Sequence, residues 1–227
     1  MALLISIFLY NGLGAQSIDL SKVNAGEMRD NLRPVFSVLT SHHELPFPAA
    51  FYNAGRKVVV SSNLLHGYQV LGDNERGIYL PAFWAGFVTS PNLSLFMQLA
   101  NGNYQAENIS TFGPVINFIW GEEARENVIN VSINHLRGPD DFRAKDIALS
   151  LAKKIEINRL MLYYGVEAHY IKAVIDVKET DYKKTINETL YHVRTGLYRK
   201  IRGVDLGLEL SISGESVIGK INLTKII

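Results

Sequence analysis

Val204-Asp205-Leu206-Gly207-Leu208-Glu209-Leu210-Ser211-Ile212 is the stretch that decides the fold. Every even-numbered position is apolar, and every odd-numbered position is small, polar or charged. Successive side chains of an extended chain leave on opposite faces, so this stretch reads as a strand with one apolar and one hydrophilic face. Helical winding, at about 3.6 residues per turn, would scatter the same leucines around the axis.

The period of two spreads outward from there. Ile129, Val131 and Ile133 alternate with Asn130, Ser132 and Asn134. Ile147, Leu149 and Leu151 alternate with Asp146, Ala148, Ser150 and Ala152. Leu162, Tyr164, Val166, Ala168 and Tyr170 alternate with Gly165, Glu167 and His169, and Tyr191, Val193 and Leu197 with His192, Arg194 and Gly196. Ile221 and Leu223 alternate with Lys220, Asn222 and Thr224. Residues 144–155 also fit an amphipathic helix through Ile147, Leu151 and Ile155, but strands on both sides make this a strand too.

Turn chemistry separates the runs, at residues 72–75, 101–103, 121–126, 138–141, 156–158, 178–184, 202–203 and 213–216. Gly, Asn, Asp and Pro serve turns by allowing positive φ, capping locally or presetting φ. Strand, turn, strand with no helix between them is an antiparallel meander. The runs are about 10 to 17 residues long, whereas soluble strands usually have about 5 to 6. Shorter or less regular strands are expected over 56–62, 66–71, 77–80 and 83–89, giving about ten to twelve strands in a closed barrel. Before them, residues 20–32 read as a short helix ending ahead of Pro34, and residues 45–48 as an extended linker.

The composition fits one substantial folded unit. The chain has 227 residues, 47% apolar and 20% charged, too apolar for a disordered polymer. Lys plus Arg number 23 against 22 Asp plus Glu, a net charge of +1 that gives no electrostatic reason to expect nucleic acid. Cysteine is absent, which removes disulfide scaffolds, thiolate nucleophiles and Cys-based zinc sites. Residues 3–10 are apolar apart from Ser6 and are followed by Gly12, Gly14 and Ala15, the pattern of a secretory signal cleaved after Ala15. No Lys or Arg lies between Met1 and Lys22, which points to a true start upstream of Met1. The organisation read from the chain is a signal at 1–15, a helix, linker or plug at 16–55 and a barrel at 56–227.

Alternation alone leaves open which face meets solvent. Three features turn the apolar face outward to lipid. The strands are long. The polar face is rich in small uncharged residues such as Asn130, Ser132, Ser150 and Gly207. Aromatics (Phe112, Phe118, Trp120, Tyr163, Tyr164, Tyr170, Tyr191 and Tyr198) gather towards strand ends, as rings do at a bilayer interface. With its signal-like start, long alternating strands, polar hairpins and lack of Cys, the chain over residues 56–227 resembles a bacterial outer-membrane β-barrel protein. It departs from that class in ending Lys225-Ile226-Ile227 rather than on an aromatic residue. The resemblance implies a closed antiparallel transmembrane barrel in the outer membrane of a Gram-negative bacterium. Membrane lipid is then its partner, a small polar solute its cargo, and a monomer its favoured state.

The lipid-facing belt is then Ile129, Val131, Ile133, Leu162, Tyr164, Val166, Val193, Leu206, Leu208 and Leu210. Glu167, His169, His192, Arg194, Asp205 and Glu209 share one lumen, either as a structural ion-pair network or as a selectivity lining. No Gly-x-Ser-x-Gly elbow, P-loop or His-Glu-x-x-His occurs, so no catalytic residue, cofactor or metal is assigned and an enzyme is the last reading. His42-His43-Glu44 offers metal donors, but neighbours on an extended chain point apart, and the segment reads as a solvated loop. The functional readings are a narrow channel for small solutes, a secreted soluble barrel with an apolar ligand inside, and a membrane anchor without transport.

Overall fold

The structure, a computed structural model, describes residues 28–41, 43–51, 58–69, 81–104, 107–122, 125–138, 142–158, 160–177 and 182–227. The expected signal at 1–15, the hairpin loop at 72–75 and the strand at 77–80 lie outside the described residues.

Ten antiparallel strands follow one another in sequence and close into a barrel. They are β1 Val58–Gln69, β2 Ala82–Ser90, β3 Leu93–Tyr104, β4 Glu107–Glu122, β5 Arg125–Arg137, β6 Phe142–Ile157, β7 Leu160–Val177, β8 Tyr182–Ile201, β9 Val204–Ile212 and β10 Ser216–Ile226. Closure is made by β1 against β10, in a ladder from Val59↔Ile226 to Gln69↔Ser216. The ambiguous 144–155 stretch lies within β6. Of the two strands read over 56–62 and 66–71, the described residues belong to one strand, β1. Residues 101–103, read as a turn, stay in β3 because Asn101, Gly102 and Asn103 pair with Ser110, Ile109 and Asn108; ladder partners outweigh local turn preference.

At one end of the barrel the hairpins are tight. β8 and β9 are joined by Arg202 and Gly203 alone, both at positive φ (50° and 82°). Two positive φ values match the right-handed strand twist, and glycine takes the second at no steric cost. β2 and β3 are likewise joined across Pro91 and Asn92.

The barrel wall is uneven. β7 and β8, with 18 and 20 residues, rise above β9 with 9. Along the lower part of this tall wall, Leu160, Tyr164, Val166, Tyr170, Tyr191 and Val193 are exposed on the outside. Higher up, the faces exchange character. Lys172, Thr185, Asn187 and Thr189 are exposed, while Ile171, Ala173, Ile175, Ile186 and Leu190 are buried inside. The belt therefore stops at Tyr170 and Tyr191, and the wall above it has the facing of a water-soluble sheet. From Leu160 to Tyr170 the belt covers ten residue steps, which at a rise of about 3.3 Å and a tilt of about 40° gives roughly 25 Å.

Helix α1, Met28–Ser41, and the single turn α2, Phe47–Ala50, lie before β1. Of the helix expected over 20–32, residues 28–32 lie in α1 and the rest lie outside the described residues; α1 does not end ahead of Pro34 but runs on to Ser41. Burial of Phe36, Val38 and Leu39 inside the tall wall, with Phe36 stacked on Phe142 at 5.8 Å, outweighs the local proline signal. No helix among the described residues is long and apolar enough to cross a membrane, which says nothing about strands.

Candidate functional site

Residues 36–41 and 43–51 are buried within the barrel and cross its interior from the tall-wall end towards the tight-hairpin end. At the first end, Ser37 Oγ lies 2.6 Å from the hydroxyls of both Ser213 and Ser216, beside the β9–β10 turn. At the other, Asn117 Nδ2 donates to the Ala50 carbonyl at 2.6 Å. This segment divides the interior into layers. Phe36, Val38 and Leu39 fill one apolar layer. Phe47, Ala49, Ala50 and Phe51 fill another with Val59, Trp84, Phe96, Val115, Ile119, Tyr163 and Tyr198. Between them lies a sealed cluster of charges.

Arg194, inward on β8, is its hub. The guanidinium pairs with three carboxylates: Nη1 donates to Glu167 Oε2 at 3.2 Å and Nη2 to Glu209 Oε2 at 3.0 Å, while Nε stands 3.1 Å from Glu44 Oε2 as an ion pair without hydrogen-bond geometry. Nη2 also reaches the Leu45 carbonyl at 3.0 Å, and the group lies 4.4 Å from the centroid of the Phe47 ring. A planar fork with five N–H donors suits this many-sided pairing, which a lysine could not reproduce. Lys220, inward on β10, donates to Glu44 Oε2 and to the Ser41 carbonyl. Glu209 Oε1 accepts from the Tyr198 hydroxyl and from the Phe47 backbone N–H. Such pairing is what makes buried charge tolerable.

Three imidazoles border the hub. His43 Nδ1 lies 2.5 Å and His169 Nδ1 3.0 Å from the same Asp146 Oδ2. His192 Nδ1 lies 2.7 Å from Glu44 Oε1, which also accepts from Ser211 Oγ at 2.8 Å. The His169 and His192 rings stand 5.0 Å apart. Glu44, His169 and His192 each offer one ligand atom within 4.8 Å of the others, so these three are able to hold a metal ion. The hydroxyl of Ser211 and the carboxylate of Glu44 meet the same nitrogen of His192. A nucleophile relay needs them on opposite sides of the ring, so this is no Ser-His-Glu triad.

All six lumen residues read from the sequence are buried on the inner face: Glu167, His169, His192, Arg194, Asp205 and Glu209. Five belong to the cluster. Asp205, two residues beyond the β8–β9 turn, makes no hydrogen bond or ion pair with it. Of the belt residues, Val131, Ile133, Tyr164, Val166, Val193, Leu206, Leu208 and Leu210 are exposed on the outer face, and Ile129 and Leu162 are half-buried. Leu206, Leu208 and Leu210 retain 42%, 62% and 37% exposure, whereas a soluble barrel would pack them inside. Tyr163 and Tyr198, grouped with the interfacial aromatics, instead point inward and meet edge-on at 5.2 Å, because odd positions of β7 and even positions of β8 face the lumen there.

His43 and Glu44 are not in a solvated loop as expected; both are buried, and His42 lies outside the described residues. As neighbours on an extended chain they do point apart, His43 to Asp146 and Glu44 to Arg194. Sequence reading missed Glu44, Lys220 and Asp146 as members of the site. Lys220 and Asp146 sit on the polar phase of their strands and were accessible to it. Glu44 sits on no strand, and nothing periodic ties it to the wall.

No family model and no curated protein matches the chain. Solved structures with a similar trace include the translocator domain of autotransporter NalP from Neisseria meningitidis, at 10% identity and a TM-score of 0.47, covering 88% of this chain and 96% of that one. They also include the KdgM porin, at 11% identity and TM-score 0.41, covering 73% and 98%. A loop-deleted OmpT, an outer membrane protein of Vibrio cholerae, matches at 12% identity and TM-score 0.38, covering 75% and 62%. The chain is a closed ten-stranded membrane-type β-barrel, apolar outside and polar at its centre, similar in architecture to outer-membrane barrels and assigned to no family among them.

Proposed function

We propose that the protein is an outer-membrane barrel that passes a small polar solute along a narrow path, closed in this structure by its own residues 36–51. The observation that carries this reading is the chemistry of the wall beneath the plug. Asn63, Asn117, Asn130, Ser132, Asn134 and Asn222 all face inward. Displacing the plug would leave a surface that water wets. Ion pairs from Glu44 to Arg194 and Lys220 are the kind of contact that water replaces at small cost. Charged groups on such a wall would set selectivity.

A second reading, a sealed anchor without transport, is favoured by the aromatic contacts of the plug. Phe47 stacks on Tyr163 at 5.3 Å, and Phe51 lies 5.2 Å from the same ring.

The absence of cysteine allows a clean test. Ser37 and Ser216, with hydroxyls 2.6 Å apart, would be replaced in the double variant Ser37→Cys/Ser216→Cys. In planar bilayers, the reduced variant is expected to conduct and the oxidised, disulfide-locked variant to fall silent. Silence in both states, with insertion verified, would reject transport and leave the anchor. In a conducting barrel, Glu209→Gln should shift selectivity towards anions.

A further inference from the structure

We propose that Glu44, His169 and His192 form a divalent transition-metal site of the zinc type, which clamps the plug to the barrel wall. Glu44 comes from the plug, His169 from β7 and His192 from β8, and one ligand atom of each lies within 4.8 Å of the other two.

Each ligand is prepared for the role in its own way. His169 is wholly buried, and its Nδ1 is held by Asp146 Oδ2 at 3.0 Å. That contact fixes the ring and turns Nε2 inward, where it has no hydrogen-bond partner; Glu167 Oε1 stands 3.6 Å away. A carboxylate behind a histidine, with the opposite ring nitrogen left open, is the second-sphere arrangement of metal-bound imidazoles. His192 presents its other nitrogen. The Thr40 hydroxyl gives its hydrogen to the Phe36 carbonyl at 2.8 Å, so towards His192 Nε2, 3.5 Å away, it is left as an acceptor. His192 Nδ1 lies 2.7 Å from Glu44 Oε1, so these two ligand atoms share one ring proton that a metal ion would displace. Glu44 divides its oxygens, with Oε2 serving Arg194 and Lys220, and Oε1 facing Ser211 and the imidazoles.

The charges point the same way. Glu44, Glu167, Glu209 and Asp146 bring four negative charges, and Arg194 and Lys220 bring two positive ones. Carboxylates thus outnumber the Arg and Lys side chains around the imidazoles, an environment that favours a bound cation. Two nitrogens and a carboxylate oxygen, with Glu167 close by, form a donor set that suits zinc. The site is sealed, so the ion enters as the plug seats during folding.

Metal binding is read independently of conductance. Full-length protein would be refolded from urea into detergent micelles with zinc sulfate or with EDTA, passed over a sizing column and analysed for metal. Wild type refolded with zinc should retain one zinc per chain, with two imidazoles in its X-ray absorption fine structure. His169→Gln and His192→Gln should each lower retention at least tenfold. His135→Gln, on the exposed outer face, should leave it unchanged. Zinc-free wild type, or bound zinc without imidazole scattering, would overturn the site even if the histidine variants fail to refold. So would loss of zinc in His135→Gln alone. If no zinc binds yet the barrel conducts, the metal site falls and the plugged-path reading stands.

Discussion

Arg194 is the hub of the buried charge cluster. It holds Glu44, Glu167 and Glu209 at once, with all four side chains buried. Arg194→Met keeps a side chain of similar reach but strips the counter-charge from three carboxylates. Breaking a buried pair by removing one partner costs about 3–5 kcal/mol. The midpoint of urea-induced unfolding in lipid vesicles should fall accordingly. Thr189→Ala, on the exposed outer face of the same strand, should change stability by less than about 0.5 kcal/mol. Equal effects would mean that the cluster is hydrated and contributes little. At this scale the sequence was legible where the residue sits on a strand. Strict alternation in β7, β8 and β9 assigns Glu167, Arg194 and Glu209 to one face without further knowledge. It could not assign Glu44, whose partners lie more than 120 residues away and are reached through an irregular segment.

Among the elements, β8 and β9 show how a polar inner face is made to fit. Tyr198 folds across Gly207, its partner in the ladder, and a Cβ at Gly207 would collide with the ring. The glycine is there for close approach, since its φ is ordinary for a strand. Gly207→Ala should displace Tyr198 from Glu209 and cost about 1–3 kcal/mol by overpacking. Gly219→Ala on β10, where nothing lies within 4 Å, should be tolerated. Similar losses for both would show that strand glycines act through backbone freedom instead. Elements governed by a period were readable in advance, including β6, whose competing helical pattern lost to its ladder partners on β5 and β7. Those governed by tertiary burial were not. Helix α1 runs through position 34 because its apolar residues find the inside of the tall wall, a surface that exists only once β6 to β8 have paired.

The whole molecule is ordered by one inversion. Apolar side chains cover the outside over roughly 25 Å of height, and charges are enclosed at the centre. Above Tyr170 and Tyr191 the inversion ends, which sets the upper limit of the membrane-spanning band. Leu208→Arg, within that band, should destabilise the inserted barrel by about 2–4 kcal/mol, measured by unfolding from vesicles. Long strands and small polar residues on one face made the inversion legible from sequence. The segment ahead of the barrel reads as a helix, linker or plug, with nothing in its sequence to name its partners on the wall. The inversion itself is testable with the two tryptophans of the chain, one on each side of the wall. Trp84 is fully buried inside, and Trp120 is 42% exposed on the outside. Fluorescence quenching would be measured in vesicles of phosphatidylcholines brominated at a series of acyl-chain depths. Trp84→Phe, which retains Trp120, should be strongly quenched, and Trp120→Phe, which retains Trp84, should not. Quenching of Trp84 but not of Trp120, or of neither in a correctly folded protein, would contradict a barrel that turns its apolar face to lipid.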